Sequence, residues 1–439
     1  MRTHTFIDLF AGCGGLSLGL SMAGLKGRFA VERDPMAFST FQSNLSGDEC
    51  EQVHQFDWPE WLPKQAWDIE QLLVRHRGEL ESLRGEVDVL TGGPPCQGFS
   101  FAGRRKADDP RNLLFEKYVE VVKAIQPRII LLENVPGMRV VHRAKEARAE
   151  GGMPPAALRD SYYDKLVELL RAANYSVDAR LLDAATFGVP QRRTRLIVVG
   201  VRNDCAAVLQ GGMSRVFEAI GTHREMQLAD LNLNERISAS DALSDLETAG
   251  ASMFTYRDTA ARGTFSELRY AGPSTDYQHA MRKPFPPPQM NSMRLARHSQ
   301  EISARFGQII AECTQGVRLN TNDRARFGLR KNRIVPIHPD EPAPTITTLP
   351  EDLLHYSEPR ILTVRECARL QSFPDWFQFQ GKYTTGGVLR TKECPRYTQV
   401  GNAVPPLMAR GLGKALDCLL VEIEEALELN ARIDEVAVA

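Results

Sequence analysis

Thr5-Phe6-Ile7-Asp8-Leu9-Phe10-Ala11-Gly12-Cys13-Gly14-Gly15-Leu16-Ser17-Leu18-Gly19 runs from an apolar strand pattern through a glycine-rich turn into a helical pattern. Glu32 stands at the end of the next strand-like run, Arg28–Glu32. A strand, a glycine turn at a helix start and an acid after the second strand form a nucleotide-cofactor arrangement. The turn alone is compatible with a dehydrogenase, a methyltransferase or a loop without ligand. A dinucleotide fingerprint starting at Gly12 needs a glycine at position 17, where this chain has Ser17.

The alternation continues outward from this turn. Strand patterns at Val87–Thr91, Arg128–Glu133, Ser176–Asp183 and Arg195–Val201 are separated by helical patterns at Pro35–Asn44, Asn112–Ile125 and Leu158–Ala173. That order predicts a parallel α/β sheet with helices on both faces over residues 5–202. Arg139–Pro155, rich in charge, Ala and Gly, reads as an insertion. From about residue 226 the alternation gives way to polar and Pro-rich sequence, which reads as a smaller irregular domain. The predicted organisation is therefore a catalytic unit over 1–225, a second domain over 226–350, and a segment over 351–439 that returns to the first and ends in a helix from Leu407 to about Leu429.

Gly92-Gly93-Pro94-Pro95-Cys96-Gln97-Gly98-Phe99-Ser100 follows the third strand pattern and sets one thiol on a rigid turn. The prolines fix the backbone and the glycines leave room for a flat substrate, so Cys96 is a candidate nucleophile, against the alternative of a buried structural thiol. Glu133 closes the strand Arg128–Leu132 at the same sheet edge, where burial would favour its neutral form; the alternative is a helix cap. Arg193 and Arg195, two apart, are expected to point to one side and bracket a phosphate or a base oxygen.

The 8 cysteines are scattered, without a Cys-x-x-Cys pair or a Cys/His cluster, so neither a disulfide framework nor a metal site is expected. No apolar run follows Met1 that would serve as a signal peptide or a span, and a cytoplasmic protein is expected. The net charge of -1 names no partner, but residues 282–333 carry eleven Lys/Arg against three acids. Read as loops and short strands, that basic segment suits a phosphate backbone.

Taken in order, Phe10–Gly15, Pro94–Ser100, Glu133-Asn134-Val135, Gln191–Arg195, Arg365-Glu366-Cys367-Ala368-Arg369-Leu370-Gln371-Ser372-Phe373-Pro374-Asp375 and Gln399-Val400-Gly401-Asn402-Ala403-Val404 resemble the motifs of the cytosine-C5 DNA methyltransferases. Asp109–Phe115 resembles the segment that follows the nucleophile loop in that family. The likeness covers roughly residues 5–202 and 355–410. It implies a Rossmann-like methyltransferase sheet using S-adenosylmethionine, with double-stranded DNA as substrate and a target-recognition domain between the two matched parts.

The same resemblance assigns roles residue by residue. Cys96 would add to carbon 6 of a flipped-out cytosine, Glu133 would hold N3, Arg195 would bind the base oxygen, and Arg193 would serve the adjacent backbone. Gln97 and Ser100 would fill the vacated space, and Arg104, Arg105 and Lys106 would hold phosphates. Phe10, Ala11, Gly12, Cys13, Gly14, Gly15, Leu16, Glu32, Asp57, Pro94, Leu114, Asn402 and Ala403 would surround the methyl donor. Arg324, Arg326, Arg330, Lys331 and Arg333 would contact DNA. A monomer is expected, with a cognate restriction endonuclease acting separately or none at all. A transfer-RNA methyltransferase on this scaffold would share the chemistry, and the sizeable basic region favours DNA.

Overall fold

The computed structural model describes residues 2–47, 54–95, 114–139, 161–257, 263–329, 331, 333–385, 389 and 392–438. Seven strands concern the site: β1 (Thr5–Leu9), β2 (Lys26–Val31), β3 (Val89–Gly92), β4 (Ile129–Asn134), β5 (Tyr175–Asp183), the two-residue β6 (Gln191–Arg192) and β7 (Thr194–Arg202). Six of them form one sheet in the order β2-β1-β3-β4-β7-β5. The pairs β1–β2, β1–β3 and β3–β4 are parallel. β7 runs antiparallel to both β4 and β5, which corrects the all-parallel expectation. The link from Asp183 to Thr194 is too short for a crossover helix, so the chain turns back as a hairpin.

Side chains alternate across this sheet as period 2 requires. Phe6, Val89, Ile129, Leu131, Ile197 and Val199 enter the core on one face. Ile7, Leu9, Leu90, Ile130, Leu132 and Val198 enter the core on the other. Helices Leu114–Ile125 and Tyr162–Ala172 belong to the second face. Helices Gly15–Met22, Ser214–Leu231 and Pro406–Val438 cover the first. A Cβ on Gly19 would stand 2.3 Å from Ala409 Cβ and 2.5 Å from Pro406 O, so only glycine lets the first helix meet the C-terminal one. That contact carries Asn402 and Ala403 to the glycine turn, where a Cβ on Gly15 would be 2.4 Å from Val404 O.

Helix Ser214–Leu231 runs through the 225/226 boundary expected from sequence, and the C-terminal helix continues past Leu429 to Val438. The basic segment also holds more helix than expected, at Gln300–Glu312 and Thr321–Arg326. Ser299 caps the first of these, and Ile302, Phe306 and Ile309 supply its apolar spacing, with Phe306 and Ile309 in a small cluster with Leu319, Phe327, Ile334, Leu354 and Ile361. Among the described residues no helix is long and apolar enough to cross a membrane.

Charged side chains fasten the chain's first residues to the C-terminal helix. Buried His4 places Nδ1 2.7 Å from Asp417 Oδ1 and Nε2 3.4 Å from Glu424 Oε2. Glu424 also pairs with Arg2 and Arg128, and Arg2 reaches Asp88. The hydrogen bond to Asp417 raises the His4 pKa, against the effect of burial, with Asp88 and Glu424 assisting. A raised folded value means that the stabilisation is complete below the imidazole's usual ~6.5 and is lost as pH rises through the folded value. Thermal melts are therefore expected to show stability falling on the alkaline side of ~6.5, and His4→Asn is expected to flatten that slope.

Candidate active site

The carboxyl ends of β1 and β2 build the first half of the site. Phe10, Gly12 and Gly14 all adopt positive φ (65°, 58° and 96°), and a Cβ on Gly14 would meet Leu45 Cδ1 at 2.8 Å. Glu32 accepts from Gly12 N–H through Oε2 (3.0 Å) and from Asp34 N–H through Oε1 (2.7 Å). Asp34 in turn caps helix Pro35–Leu45 by accepting from Met36 and Ala37 N–H. Burial raises the Glu32 pKa.

Asp8 lies on the same face as Glu32, since it pairs with Ala30, two residues before Glu32 on the neighbouring strand. Its Oδ2 accepts from Ser17 Oγ at 2.5 Å, while Oδ1 is buried without a hydrogen-bond partner. Burial, assisted by Glu32, pushes the Asp8 carboxyl up to about 7. Sequence reasoning passed over this acid because it reads as an ordinary strand-end residue. Cys13 turns away from solvent toward Gln399 O, and burial pushes its thiol up to about 12, which leaves the backbone of that residue as its contribution. Leu16 is buried below the turn, and Asp57 is exposed with Oδ2 3.4 Å from Arg28 Nη1.

β3 and β4 bring up the second half. A Cβ on Gly92 would stand 2.4 Å from Leu9 O, and one on Gly93 would stand 3.3 Å from Glu133 Oε2. Pro94 O accepts from Asn134 Nδ2 at 3.2 Å, tying the start of the loop to β4. Glu133 therefore presents Oε2 to the loop three residues before position 96. Its Oε1 is 2.7 Å from Arg195 Nε, and both side chains are only 12% exposed. The carboxyl is thus paired with a guanidinium, whereas sequence gave it an apolar strand-end setting. Cys96, Gln97, Ser100, Arg104, Arg105 and Lys106 lie outside the described residues, as does the insertion from 140 onward.

Arg193 is placed differently from the sequence expectation. It is buried, donating from Nη1 to Ile346 O (3.2 Å) and from Nη2 to Gly401 O (3.0 Å), so it fastens protein backbone, not a nucleic-acid phosphate. Burial, with Arg195 nearby, lowers its pKa. Around it Gln191 donates to Gln371 Oε1 (2.9 Å) and accepts from Ile346 N–H (2.9 Å), and Gln371 donates to Val400 O (2.8 Å). Four distant stretches of chain are thereby joined behind the rim. Neither glutamine was singled out from sequence, because each acts only through partners more than 25 residues away.

A family model described as C-5 cytosine-specific DNA methylase matches residues 4–418. The chain belongs to that family. This methylase is 31% identical over 435 residues to the type II methyltransferase M.DdeI of Desulfomicrobium norvegicum, covering 97% of this chain and 92% of that protein. It is 31% identical over 420 residues to M1.HphI of Haemophilus parahaemolyticus, covering 94% and 86%. A candidate DNA modification methyltransferase encoded within an Escherichia coli prophage shares the fold, with TM-score 0.59 and 24% identity over 95% of this chain and 99% of that one. The methylase is accordingly an enzyme with DNA (cytosine-5-)-methyltransferase activity on a Rossmann-like α/β scaffold.

In the methylase the remaining expected residues divide. Asn402 is exposed and Ala403 buried beside the glycine turn, and Leu114 opens helix Leu114–Ile125. Among the expected DNA contacts, Arg324 donates to Asn320 O and Thr321 Oγ1. Arg326 pairs with Glu312, Lys331 with Glu351, and Arg333 donates to Thr345 O. Each of these four also meets a local partner within the protein; Arg330 lies outside the described residues. Among the described residues there is no cluster able to hold a metal ion.

Proposed function

We propose that this methylase modifies carbon 5 of a cytosine within one double-stranded DNA sequence, through a covalent Cys96 adduct with a base swung out of the helix. The observation that carries the reading is the Glu133 carboxyl, held by Arg195 through one oxygen and turned to the nucleophile loop through the other. S-adenosylmethionine, when bound, supplies an electrophilic methyl group. The residues present fit that donor: under the glycine turn Asp8 keeps one buried oxygen without a hydrogen-bond partner, on the same face as Glu32, which leaves acceptor capacity for the donor's polar groups. Phe10–Leu16, Glu32, Asp57, Pro94, Leu114, Asn402 and Ala403 would line it.

The Cys96 thiolate attacks carbon 6 and turns the ring into an enamine nucleophilic at carbon 5. Glu133 Oε2 holds the proton at N3, and Arg195 orients the base through its oxygen. Once carbon 5 has taken the methyl group, with S-adenosylhomocysteine as the leaving group, a base takes the carbon-5 proton and the Cys96 thiolate is eliminated from carbon 6, which restores the aromatic ring. Extrusion from the duplex costs roughly a few kcal/mol; Gln97 and Ser100 would occupy the gap, and Arg104, Arg105 and Lys106 would hold phosphates. We assign sequence recognition to the segment between Leu231 and Pro350, and catalysis to the chain on either side of it. The relatives above carry the name type II methyltransferase, which supports a place in restriction-modification beside a separate endonuclease; we read the enzyme as a monomer.

Tritium transfer from labelled S-adenosylmethionine is expected onto duplex DNA and not onto transfer RNA. Bisulfite sequencing of DNA from a methylation-free host expressing the chain is expected to show one recurrent sequence. Label confined to RNA, or methylcytosines without a shared context, would remove this reading.

A further inference from the structure

Resting on the reading of DNA as substrate, we infer that Arg192 is a backbone-phosphate contact on the exposed side of the rim, next to the Gly316 turn. Along Gln191–Arg195 the side chains alternate. Gln191 and Arg193 are buried and occupied by protein partners, whereas Arg192 and Thr194 are exposed. The same period that directs Arg195 toward Glu133 therefore turns Arg192 outward, three residues and about 10 Å along the chain from the arginine that meets the base.

The backbone of Arg192 is firmly held. β6 pairs with Ala343–Pro344, and Arg192 O accepts from Thr345 Oγ1 at 2.7 Å. Its guanidinium is not: among the described residues it has no hydrogen-bond or ion-pair partner. The other arginines of this rim are engaged, Arg193 with Ile346 O and Gly401 O, Arg195 with Glu133, and Arg333 with Thr345 O.

Opposite Arg192 stands Gly316, with positive φ (77°) and its N–H on Pro336 O at 2.7 Å. A Cβ there would be 3.3 Å from His338 Cβ and 4.0 Å from Arg192 Nη2, so the turn lies alongside the guanidinium at ordinary contact distance. A fixed backbone and an unspent, exposed planar donor about 10 Å along the chain from Arg195 suit one phosphate of the strand that carries the target. A contact there would hold the backbone in its rotated form once the base is extruded.

Arg192→Ala is expected to weaken duplex binding about five- to tenfold near 0.1 M salt and to lower the salt slope by about 0.9, the share of one phosphate. Arg192→Lys should recover most of that slope. A duplex series with single methylphosphonate substitutions should contain one phosphate whose neutralisation weakens the wild-type chain and leaves Arg192→Ala unchanged. S-adenosylhomocysteine affinity should be the same in all three proteins. An unchanged slope, no such phosphate, or a parallel loss of S-adenosylhomocysteine binding overturns the contact. A wild-type chain that binds no duplex overturns instead the reading on which it rests.

Discussion

Replacing Cys96 with serine is expected to reduce methyl transfer roughly 10⁴- to 10⁶-fold, the scale on which removal of a catalytic nucleophile acts, while duplex and S-adenosylhomocysteine binding persist. A serine hydroxyl is almost wholly un-ionised near neutral pH, whereas a thiol provides a usable thiolate fraction and is the better nucleophile. The substitution removes little volume, and the loop is fixed upstream by Asn134 Nδ2 on Pro94 O and by the crowding of Gly92 against Leu9 O. Loss of activity would therefore report chemistry and not collapse of the rim. Single-turnover tritium transfer measures the first quantity, and gel shift and calorimetry measure the others. Duplexes carrying 5-fluorocytosine should trap the wild-type protein as a mass adduct at position 96, because fluorine cannot leave as the proton does. Serine turnover within a hundredfold of wild type, or no adduct in the presence of donor, would end the nucleophile assignment.

The half of the molecule that was legible in sequence owes its legibility to local rules. Continuous apolar runs, buried on both faces, mark β1, β3 and β4, and the glycines at 12, 14 and 15 mark a turn whose backbone angles and close neighbours disfavour side chains. The reversed β7 was also foreshadowed by a link too short to cross over, but strand composition alone carries no direction. Arg193 and Arg195 share a face, yet they meet different surroundings, backbone carbonyls for one and a carboxylate for the other, and spacing cannot distinguish these. The same holds for fully buried Arg369, which pairs with Asp375 and Asp245, and for Arg360 between Glu358 and Glu366. Written as a string these residues look like a charged surface. Burial is tolerated because each guanidinium meets carboxylates, Asp245 from a distant stretch and the other three from within six residues, brought onto it by the local fold. At Arg324, Arg326, Lys331 and Arg333 composition registers charge and not the local acid or carbonyl that each also meets.

Glu133→Gln is expected to lower the rate of methyl transfer roughly 10²- to 10⁴-fold, the range of general acid–base catalysis, with DNA affinity changed far less. The substitution keeps the shape of the side chain. An amide oxygen can still accept from Arg195 Nε at the position of Oε1, and the amide nitrogen then takes the place of Oε2 beside Gly93. That nitrogen can donate a hydrogen bond to ring N3 but cannot deliver a proton to it, so negative charge accumulates in the ring as the thiolate adds. Glu133→Ala removes both functions and leaves the Arg195 Nε bond without its acceptor, and so should bind DNA less well than Glu133→Gln while transferring no faster. Arg195→Lys provides the complementary test: a single ammonium cannot reproduce the guanidinium that spans Glu133 and the base oxygen, and its loss should fall on orientation of the base. Rapid-quench measurement of methyl transfer, beside fluorescence of 2-aminopurine placed next to the target as a reporter of extrusion, separates the steps. Glu133→Gln should extrude the base at near the wild-type level and stall before methylation. A glutamine variant that transfers methyl at the wild-type rate would show that the carboxyl facing the loop serves the architecture of the rim alone, and proton transfer to N3 would have to be sought in another group.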